Sequence, residues 1–323
     1  MRILVTGGAG FVGSHVTDAL LDRGDEVTVL DALNRGEGPP EPENLERARQ
    51  HGRCCVLHGD IRDPKALDES LQGVDAVIHL AARAGVRSSL RFPALFADIN
   101  LTGTAQLLQA MKRASVPQLV FASSSSVYGA TEGPCREDAP ADVPLSPYAA
   151  TKRGGELLCA AWAAAGPRHL TSLRFFTVYG PRQRRSMAIA RFIQAARRDE
   201  PLSIFGDGSS TRDYTYVTDV VRAVLAALDR PRGVQVLNVG NGRPVRLDAL
   251  VDSIARVTGR PVRIEHQPDQ LGDVPHTCAD PTQAFKQLEW KGRITLEEGL
   301  SRYVAWLNRR PSAPAINPSS GLH

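Results

Sequence analysis

The chain has 323 residues, of which 42% are hydrophobic and 23% are charged, as in an ordinary globular protein with one large domain or two smaller ones. Its formal net charge is only +4, without long blocks of like charge, so no nucleic-acid partner is expected. The apolar run at the N-terminus is too short for a signal peptide or a membrane span, and no membrane partner is expected either.

The five cysteines are odd in number, and none forms a C-x-x-C pair or has zinc-ligand spacing. The sequence therefore predicts neither a disulfide framework nor a metal site. A reducing cytoplasm is the simplest location for such a chain.

Short apolar, β-branched runs alternate with segments of helical spacing along the first half of the chain. This alternation predicts an α/β fold, a doubly wound parallel (Rossmann) sheet with crossover helices. The predicted strands are Arg2–Thr6, Glu26–Asp31, Cys54–Leu57, Ala76–Leu80 and Gln118–Ala122. Asn34–Glu43, rich in Pro, Gly and charge, is predicted to be a surface loop.

The pattern loosens after about residue 170. Strands are predicted at Leu170–Phe176 and Val234–Val239, and a helix at Arg246–Thr258 opens a smaller C-terminal α/β substrate domain. We expect residues 1–175 to form the dinucleotide-binding domain, with the chain crossing back in parts of 205–245. Residues 176–308 would mainly bind substrate, and 309–323 would be a disordered tail.

A glycine-rich turn, Gly7, Gly10 and Gly13, lies between the first strand and the first helix. Glycine lets backbone N–H groups approach a pyrophosphate, and the helix N-terminus favours its charge. Asp31 ends the second strand, near the ~20-residue spacing at which an acid binds the adenosine ribose. A carboxylate there disfavours a 2′-phosphate, so NAD is predicted, although the nearby Arg35 leaves NADP open. Asp60 could reach the adenine or simply make a turn.

Tyr148 and Lys152 form a second candidate motif. Ser146 is a good N-cap and Pro147 a good first helical residue, so both side chains should lie on one helix face. The ammonium would then lower the pKa of the phenol and make it a usable base. The spacing also arises by chance, so the pair needs a third feature.

That feature is a run of four serines, Ser123–Ser126, at the end of the predicted fifth strand. At the carboxyl edge of a parallel sheet all four hydroxyls would face the ligand crevice, and one could hydrogen-bond a sugar oxygen. A Ser-rich turn without chemistry is the alternative.

Together, GGAGFVGSH, HLAA, SSSSVYG and SPYAATK resemble the extended short-chain dehydrogenase/reductases over residues 1–308. The resemblance implies NAD and a catalytic Ser124 beside Tyr148 and Lys152. It also implies a set of further cofactor contacts: Phe11, Val12, Ile61, Leu80, Ala81, Ala82 and Asn100.

Two positions separate activities within this family. Sugar-nucleotide 4,6-dehydratases are expected to carry Asp-Glu where this chain has Ser125-Ser126, and UDP-glucuronate decarboxylases carry Glu at Ser126. The resemblance therefore disfavours both activities.

The segment RFFTVYGPRQR, Arg174–Arg184, followed by Met187, resembles the UDP-glucuronate 4-epimerases, as does AGVRSSL with Arg87. The resemblance implies that Thr177, Arg184 and the serine hydroxyls hold the C5 carboxylate of the sugar. Arg185-Ser186 stands where that subfamily usually has Pro-Asp, which could admit a different acidic sugar.

The same resemblance implies nucleotide contacts in the C-terminal part. Phe205 would lie against the uracil, Arg212 would reach the diphosphate and Asp273 would bind the ribose. Phe205 as a core residue and Arg212 as a surface charge are the alternatives.

The expected function is the reversible, NAD-dependent conversion of UDP-glucuronate to UDP-galacturonate through a 4-keto intermediate. Alternatives are a 4-epimerase acting on UDP-glucose or a UDP-N-acetylhexosamine, a UDP-glucuronate decarboxylase, or a non-catalytic NAD-binding sensor. The family also implies a homodimer joined by helices near Leu101–Met111 and Tyr148–Trp162.

Overall fold

The computed structural model describes residues 1–33, 44–268 and 274–309, and its larger sheet has seven strands, all parallel. The predicted loop at 34–43, Asp273 and the predicted tail from residue 310 onward lie outside the described residues. The strands are β1 (Arg2–Thr6), β2 (Glu26–Asp31), β3 (Cys54–His58), β4 (Ala76–His79), β5 (Gln118–Ser124), β6 (His169–Phe175), β7 (Thr177–Tyr179), β8 (Leu202–Phe205), β9 (Thr211–Tyr216), β10 (Val234–Val239), β11 (Pro244–Arg246) and β12 (Ile264–Gln267).

Helices connect the strands. They are α1 (Phe11–Arg23), α2 (Glu46–Gln50), α3 (Pro64–Ser70), α4 (Val86–Arg91), α5 (Pro93–Ala97), α6 (Gly103–Arg113), α7 (Pro147–Ala164), α8 (Ala188–Arg198), α9 (Val217–Asp229), α10 (Leu247–Thr258), α11 (Thr282–Leu288) and α12 (Leu296–Asn308). A π-helical turn, Asp98–Thr102, joins α5 to α6. Across the described ranges, no helix combines the length and the apolar character that crossing a membrane requires.

Apolar residues cover both faces of the large sheet, as a buried parallel sheet requires. Along β1, Ile3 and Val5 pack into one core cluster with helix α1, while Leu4 between them packs into a second cluster on the opposite face. Side chains alternate across a strand, so one short run serves two layers of helices.

The strand order is β10-β6-β5-β4-β1-β2-β3. From β1 the sheet extends through β2 and β3 on one side and through β4, β5 and β6 on the other, so the order in which strands are added reverses between β1 and β4. This confirms the predicted doubly wound sheet, whose ligand crevice lies outside the carboxyl ends of the strands at that reversal. Strand β10 pairs in parallel with β6 and so extends the sheet from late in the chain. Two smaller sheets, β11-β9-β7 and β12-β8, involve the C-terminal part.

Candidate active site

Packing within the protein itself requires glycine at two positions of the turn after β1. Gly7 has a φ of +73°, and a Cβ there would lie 2.6 Å from the backbone nitrogen of Ala81. A Cβ on Gly13 would overlap the carbonyl oxygen of Gly7. Gly10 is the N-cap of α1, and no side chain caps that helix end. Its first-turn N–H groups therefore suit an anionic group such as a pyrophosphate.

Asp31 lies directly beside this turn. Its Oδ2 accepts a hydrogen bond from the backbone N–H of Ala9 at 2.9 Å, and Oδ1 accepts one from Leu33 at 3.0 Å. Asp60 is already paired, because it accepts from Nε and Nη2 of Arg62 at 2.9 and 2.6 Å. The Arg62 hydrogen bonds hold the pKa of Asp60 below its usual value. Any adenine contact by Asp60 must therefore be shared with Arg62.

The segment Leu80–Ala82 follows β4 at the crevice. The N–H of Ala81 donates to Thr6 Oγ1 at 3.3 Å. Asn100 accepts from the N–H of Arg83 at 2.7 Å and donates to the Arg83 carbonyl at 3.0 Å and to Thr151 Oγ1 at 2.9 Å. Both amide hydrogens of Asn100 are thus used within the protein, and this residue shapes the crevice by anchoring the segment after Leu80–Ala82.

The other predicted cofactor residues differ in their exposure. Phe11 and Val12 form the first turn of α1 and are half-buried against the core. Ile61 is buried in the core cluster on the opposite face of the sheet from α1. Its observed role is therefore to pack in the core.

Helix α7 carries the candidate catalytic pair. It begins as predicted, with Pro147 as its first residue and the Ser146 hydroxyl accepting the N–H of Ala149 at 3.2 Å. Lys152 is buried, and its Nζ donates to the carbonyl oxygen of Ala122 at 2.7 Å. Burial lowers the pKa of the Lys152 ammonium to about 8.

The predicted lowering of the Tyr148 pKa by Lys152 is wrong for this structure. Burial raises the pKa of the phenol, because a buried phenolate loses its hydration. The groups that act in the opposite direction are the Ser124 hydroxyl, by a hydrogen bond, and the Arg184 charge. Lys152 is instead engaged with the end of β5.

The four serines do not share one role. Ser124 Oγ donates to Ser126 Oγ at 3.1 Å and accepts the N–H of Ser126 at 3.2 Å, in the cluster that includes Tyr148. Ser125 lies half-buried in the turn that follows. Ser123 points away and donates to Glu156 at 2.5 Å. The prediction that all four hydroxyls face the crevice is therefore wrong at Ser123.

Residues predicted to bind the sugar lie after β6. Thr177 begins β7, and the loop between β7 and α8 carries both Arg184 and Met187. The Met187 N–H donates to the Arg184 carbonyl at 3.0 Å. The Arg184 charge favours the ionised form of the Tyr148 phenol, the candidate base.

Two residues predicted to contact substrate meet across the molecule. The guanidinium of Arg87, on α4, lies over the ring of Phe205, at the end of β8, with 4.7 Å between its carbon and the ring centre. Arg212 donates to the carbonyl oxygens of Thr211 at 2.9 Å and Pro275 at 3.4 Å. Arg87 and Phe205 thus form a cation–aromatic stack, while Arg212 holds two chain segments together.

Two ion pairs next to these residues were not predicted from the sequence. Glu156 and Arg174 form a buried pair behind the serines, and Asp18 of α1 pairs with Arg182. Glu156 follows Lys152 by one helical turn, a spacing that could have placed it on the same face. Asp18 and Arg182 carry no comparable signal, because their contact spans 164 residues of sequence.

The arrangement matches known proteins in both sequence and fold. A relative from Thermodesulfobacterium geofontis, named UDP-glucuronate 4-epimerase, is 40% identical over 94% of this chain and 95% of its own length. The crystal structure of a UDP-glucuronic acid 4-epimerase from Bacillus cereus, in complex with UDP-glucuronic acid and NAD, is 34% identical. It superposes with a TM-score of 0.90 over 96% of this chain and 99% of its own.

MoeE5, solved in complex with UDP-glucuronic acid and NAD and also with UDP-glucose and NAD, is 39% identical over 96% of this chain and 99% of its own, with a TM-score of 0.87. The family model described as "NAD dependent epimerase/dehydratase family" matches residues 3–240, most of the chain. The protein therefore belongs to the NAD dependent epimerase/dehydratase family.

Proposed function

We propose that this protein interconverts UDP-glucuronate and UDP-galacturonate by NAD-dependent inversion at C4. The observation that carries the proposal is the cluster at the end of β5, where Ser124 lies 3.1 Å from Ser126 and hydrogen-bonds the Tyr148 phenol, whose ionised form the Arg184 charge favours. C4 carries the hydroxyl that is oxidised, and the adjacent C5 carries the carboxylate. A base for the first and a cation for the second must therefore act on neighbouring atoms of the sugar.

The residues around the glycine-rich turn fit NAD. The uncapped N-terminus of α1 suits the pyrophosphate, and Asp31 suits the ribose hydroxyls and disfavours a 2′-phosphate. Arg35, the residue that left NADP open, lies outside the described ranges. Held there, NAD would supply reversible hydride exchange with C4 of the sugar.

The chain's own groups handle the proton and the carboxylate. Tyr148 takes the proton of the 4-hydroxyl, while Ser124 hydrogen-bonds the same oxygen as it becomes a carbonyl. Because burial of Tyr148 opposes ionisation, Ser124 and Arg184 help to stabilise the phenolate. After the 4-keto sugar rotates, Tyr148 returns the proton to the oxygen.

The 4-keto sugar is a β-keto acid and can lose carbon dioxide. Thr177, Arg184, Ser125 and Ser126 hold its carboxylate away from the geometry that favours this loss, and Met187 lies on the same loop as Arg184. A guanidinium fork with short hydroxyl donors is a strong carboxylate site.

The nucleotide half of the substrate lies toward the C-terminal part. Phe205 stacks on the uracil, Arg87 and Arg212 reach the diphosphate, and Asp273, outside the described residues, binds the ribose. The stack of Arg87 on Phe205 supports this placement, because it joins a helix of the large sheet's layer to the smaller β12-β8 sheet. Residues 176–308 are accordingly the main UDP-sugar domain, and 1–175 with β10 form the NAD domain.

A homodimer is part of the proposal. Helices α4 and α5 pack against α7, and their outer surface exposes large apolar side chains: Leu90, Phe92, Leu95, Leu157 and Leu158. Exposed apolar surface of this kind marks an association site, and we infer that it contacts a second copy through the helices near Leu101–Met111 and Tyr148–Trp162. All five cysteines are free thiols, which supports the cytoplasm as the working compartment.

Product analysis tests the function directly. Pure protein is incubated with UDP-glucuronate, UDP-galacturonate, UDP-glucose or UDP-N-acetylglucosamine, and the nucleotide sugars are separated. We expect either uronate to yield the same mixture of both, with little conversion of the neutral sugars. Conversion of UDP-glucose with no conversion of the uronates would instead establish the neutral-sugar alternative.

A further inference from the structure

The loop that carries Arg184 is fastened to α1, the helix whose N-terminus faces the cofactor crevice. His15 Nε2 lies 2.9 Å from the carbonyl oxygen of Pro181. One turn later on the same helix, Asp18 Oδ2 pairs with Arg182 Nη2 at 2.7 Å. Two consecutive residues of the loop are thus held by two residues of the helix, and only Gln183 separates them from Arg184.

His15 holds Pro181 as a neutral donor. Burial lowers the pKa of its imidazole to about 4, so the ring is uncharged at neutral pH. A carbonyl oxygen only accepts hydrogen bonds, which places the ring proton on Nε2. The ring also contacts Phe11 edge-on, with 6.1 Å between the ring centres, and Phe11 is the first residue of α1. The contact therefore runs from the first turn of the helix to the loop.

The ion pair involves a residue with an unusual backbone conformation. Arg182 has a φ of +63°, in the left-handed region where a residue other than glycine is strained. The pair is largely buried, with 18% of the Arg182 and 14% of the Asp18 side chain exposed. Asp18 Oδ1 and Arg182 Nη1 are buried without a hydrogen-bond partner among the described residues. A pair that leaves atoms unsatisfied in a strained loop stabilises a fold poorly, which favours a role in positioning.

We propose that Asp18 and His15 are positioning residues that set Arg184 against the candidate base and so determine the preference for an acidic sugar. The inference rests on the proposed function, in which Arg184 holds the C5 carboxylate. Neither residue touches substrate. Each acts by fixing Pro181 and Arg182, and the Gln183 N–H bond to Gly180 at 3.2 Å keeps the intervening turn short.

Asp18→Asn tests the proposal, with Asp22→Asn as its matched control. Asp22 lies one turn further along α1 and also pairs with an arginine, Arg47, but this second pair is exposed and remote from the loop. Dissociation constants for UDP-glucuronate and UDP-glucose are measured for wild type and both variants. We expect Asp18→Asn to lower the preference for the uronate by about 3–10-fold, part of the worth of a charge-assisted hydrogen bond, and Asp22→Asn to leave it unchanged.

A second readout separates positioning from general damage. Asp18→Asn should release more pentose product per turnover of UDP-glucuronate, since a misplaced carboxylate is freer to leave, while its NAD content stays at the wild-type level. Asp18→Glu should restore part of the preference. If Asp18→Asn does not fold, Arg182→Lys, which keeps the charge but loses the guanidinium fork, is measured in the same way.

Equal weakening for both nucleotides, or the same effect in Asp22→Asn, would overturn the proposal. The wild-type preference provides an independent check. If the wild-type protein binds the two nucleotides equally, the proposed function is wrong. If the wild-type protein prefers the uronate and Asp18→Asn keeps that preference, only the inference about Asp18 is wrong.

Discussion

The carboxylate of Glu156 accepts hydrogen bonds from Nε and Nη2 of Arg174 at 2.8 and 2.9 Å. Each of these two side chains is only 2% exposed. Glu156 belongs to α7 and Arg174 to β6, so the pair fixes the helix of Tyr148 to the sheet. Ser123 donates to the same carboxylate from β5. Three elements that carry or border the candidate site therefore meet at one buried charge.

Removing that carboxylate should destabilise the folded protein. Glu156→Gln leaves the buried Arg174 uncompensated, and we expect the free energy of unfolding to fall by about 3–5 kcal/mol in urea titrations. Arg153→Gln is the control, because Arg153 reaches the same carboxylate at 3.0 Å but is 29% exposed. Its loss should stay below about 1 kcal/mol. If Glu156→Gln lowered the free energy of unfolding no more than Arg153→Gln does, the buried pair would add little to stability.

Tyr148→Phe should abolish epimerisation while leaving nucleotide-sugar binding nearly intact. The substitution removes only the phenolic oxygen, and its ring contact with Phe96, at 6.3 Å between centres, can remain. Loss of a general base lowers the turnover number by roughly 10²–10⁴-fold. Turnover within tenfold of wild type, measured alongside an unchanged dissociation constant, would show that another group takes the proton.

Arg184→Ala should weaken UDP-glucuronate binding by about 10–150-fold and UDP-glucose binding far less, because only the uronate offers a carboxylate. Carbon dioxide and pentose product should rise with the loss of the anchor. Arg185→Ala is the control. Burial raises the pKa of Tyr303 in α12 and the Arg185 charge opposes that rise, so the Arg185 charge acts on a residue outside the loop. Its removal should leave the preference unchanged. Equal losses for acidic and neutral sugars would assign Arg184 to the diphosphate or to the loop.

The purified protein should carry NAD. The catalytic cycle returns the cofactor to its starting state, so nothing in turnover requires its release. Extraction after denaturation, followed by chromatography, should yield NAD in near-stoichiometric amount. Asp31→Ala should reduce that amount, because it removes the predicted ribose acceptor and the bond to Ala9. Recovery of NADP from the wild-type protein would contradict the role given to Asp31.

His79 should make the protein acid-sensitive. Its Nδ1 lies 2.6 Å from Thr6 Oγ1 and its Nε2 lies 3.0 Å from Thr104 Oγ1, and burial lowers its pKa to about 3. The unfolded chain, with a histidine pKa near 6.5, binds the proton first, so this stability is present above pH 6.5 and is lost as pH falls. At pH 5 the loss is about 2 kcal/mol.

Unfolding titrations at pH 7.5 and pH 5 measure this loss. His79→Gln keeps a donor and an acceptor but cannot titrate, so its stability should change less between the two pH values. His58→Gln is the control, because His58 is exposed and bonds the Ala32 carbonyl at 2.9 Å. An unaltered pH dependence in His79→Gln would show that other groups cause the acid sensitivity.

The large sheet could be predicted from sequence because a parallel strand buried on both faces must be apolar throughout. β1, β2 and β10 have the predicted boundaries. Strand β5 runs two residues beyond its predicted end, through Ser123 and Ser124. The hydroxyl of Ser123 is satisfied by Glu156, 33 residues later, and no local pattern announces that partner.

The sequence predicted which elements carry the candidate residues, but not the electrostatic arrangement of those residues. Spacing on α7 placed Tyr148 and Lys152 on one helix face, yet Lys152 donates to the backbone of Ala122. A backbone carbonyl carries no sequence signature, and the burial that raises the pKa of Tyr148 is set by the whole fold. The contact of Asp18 with Arg182 likewise depends on a chain reversal that only the tertiary structure provides.

The packing around Gly7 and Gly13 bears on how glycine-rich turns are interpreted in other chains of this shape. A side chain at either position collides with the protein itself, so a descendant that lost all use for a dinucleotide would still be selected to keep both. Persistence of those two glycines then records an inherited architecture and says nothing about present chemistry. Abandonment of the cofactor would therefore have to be recognised at positions other than these two.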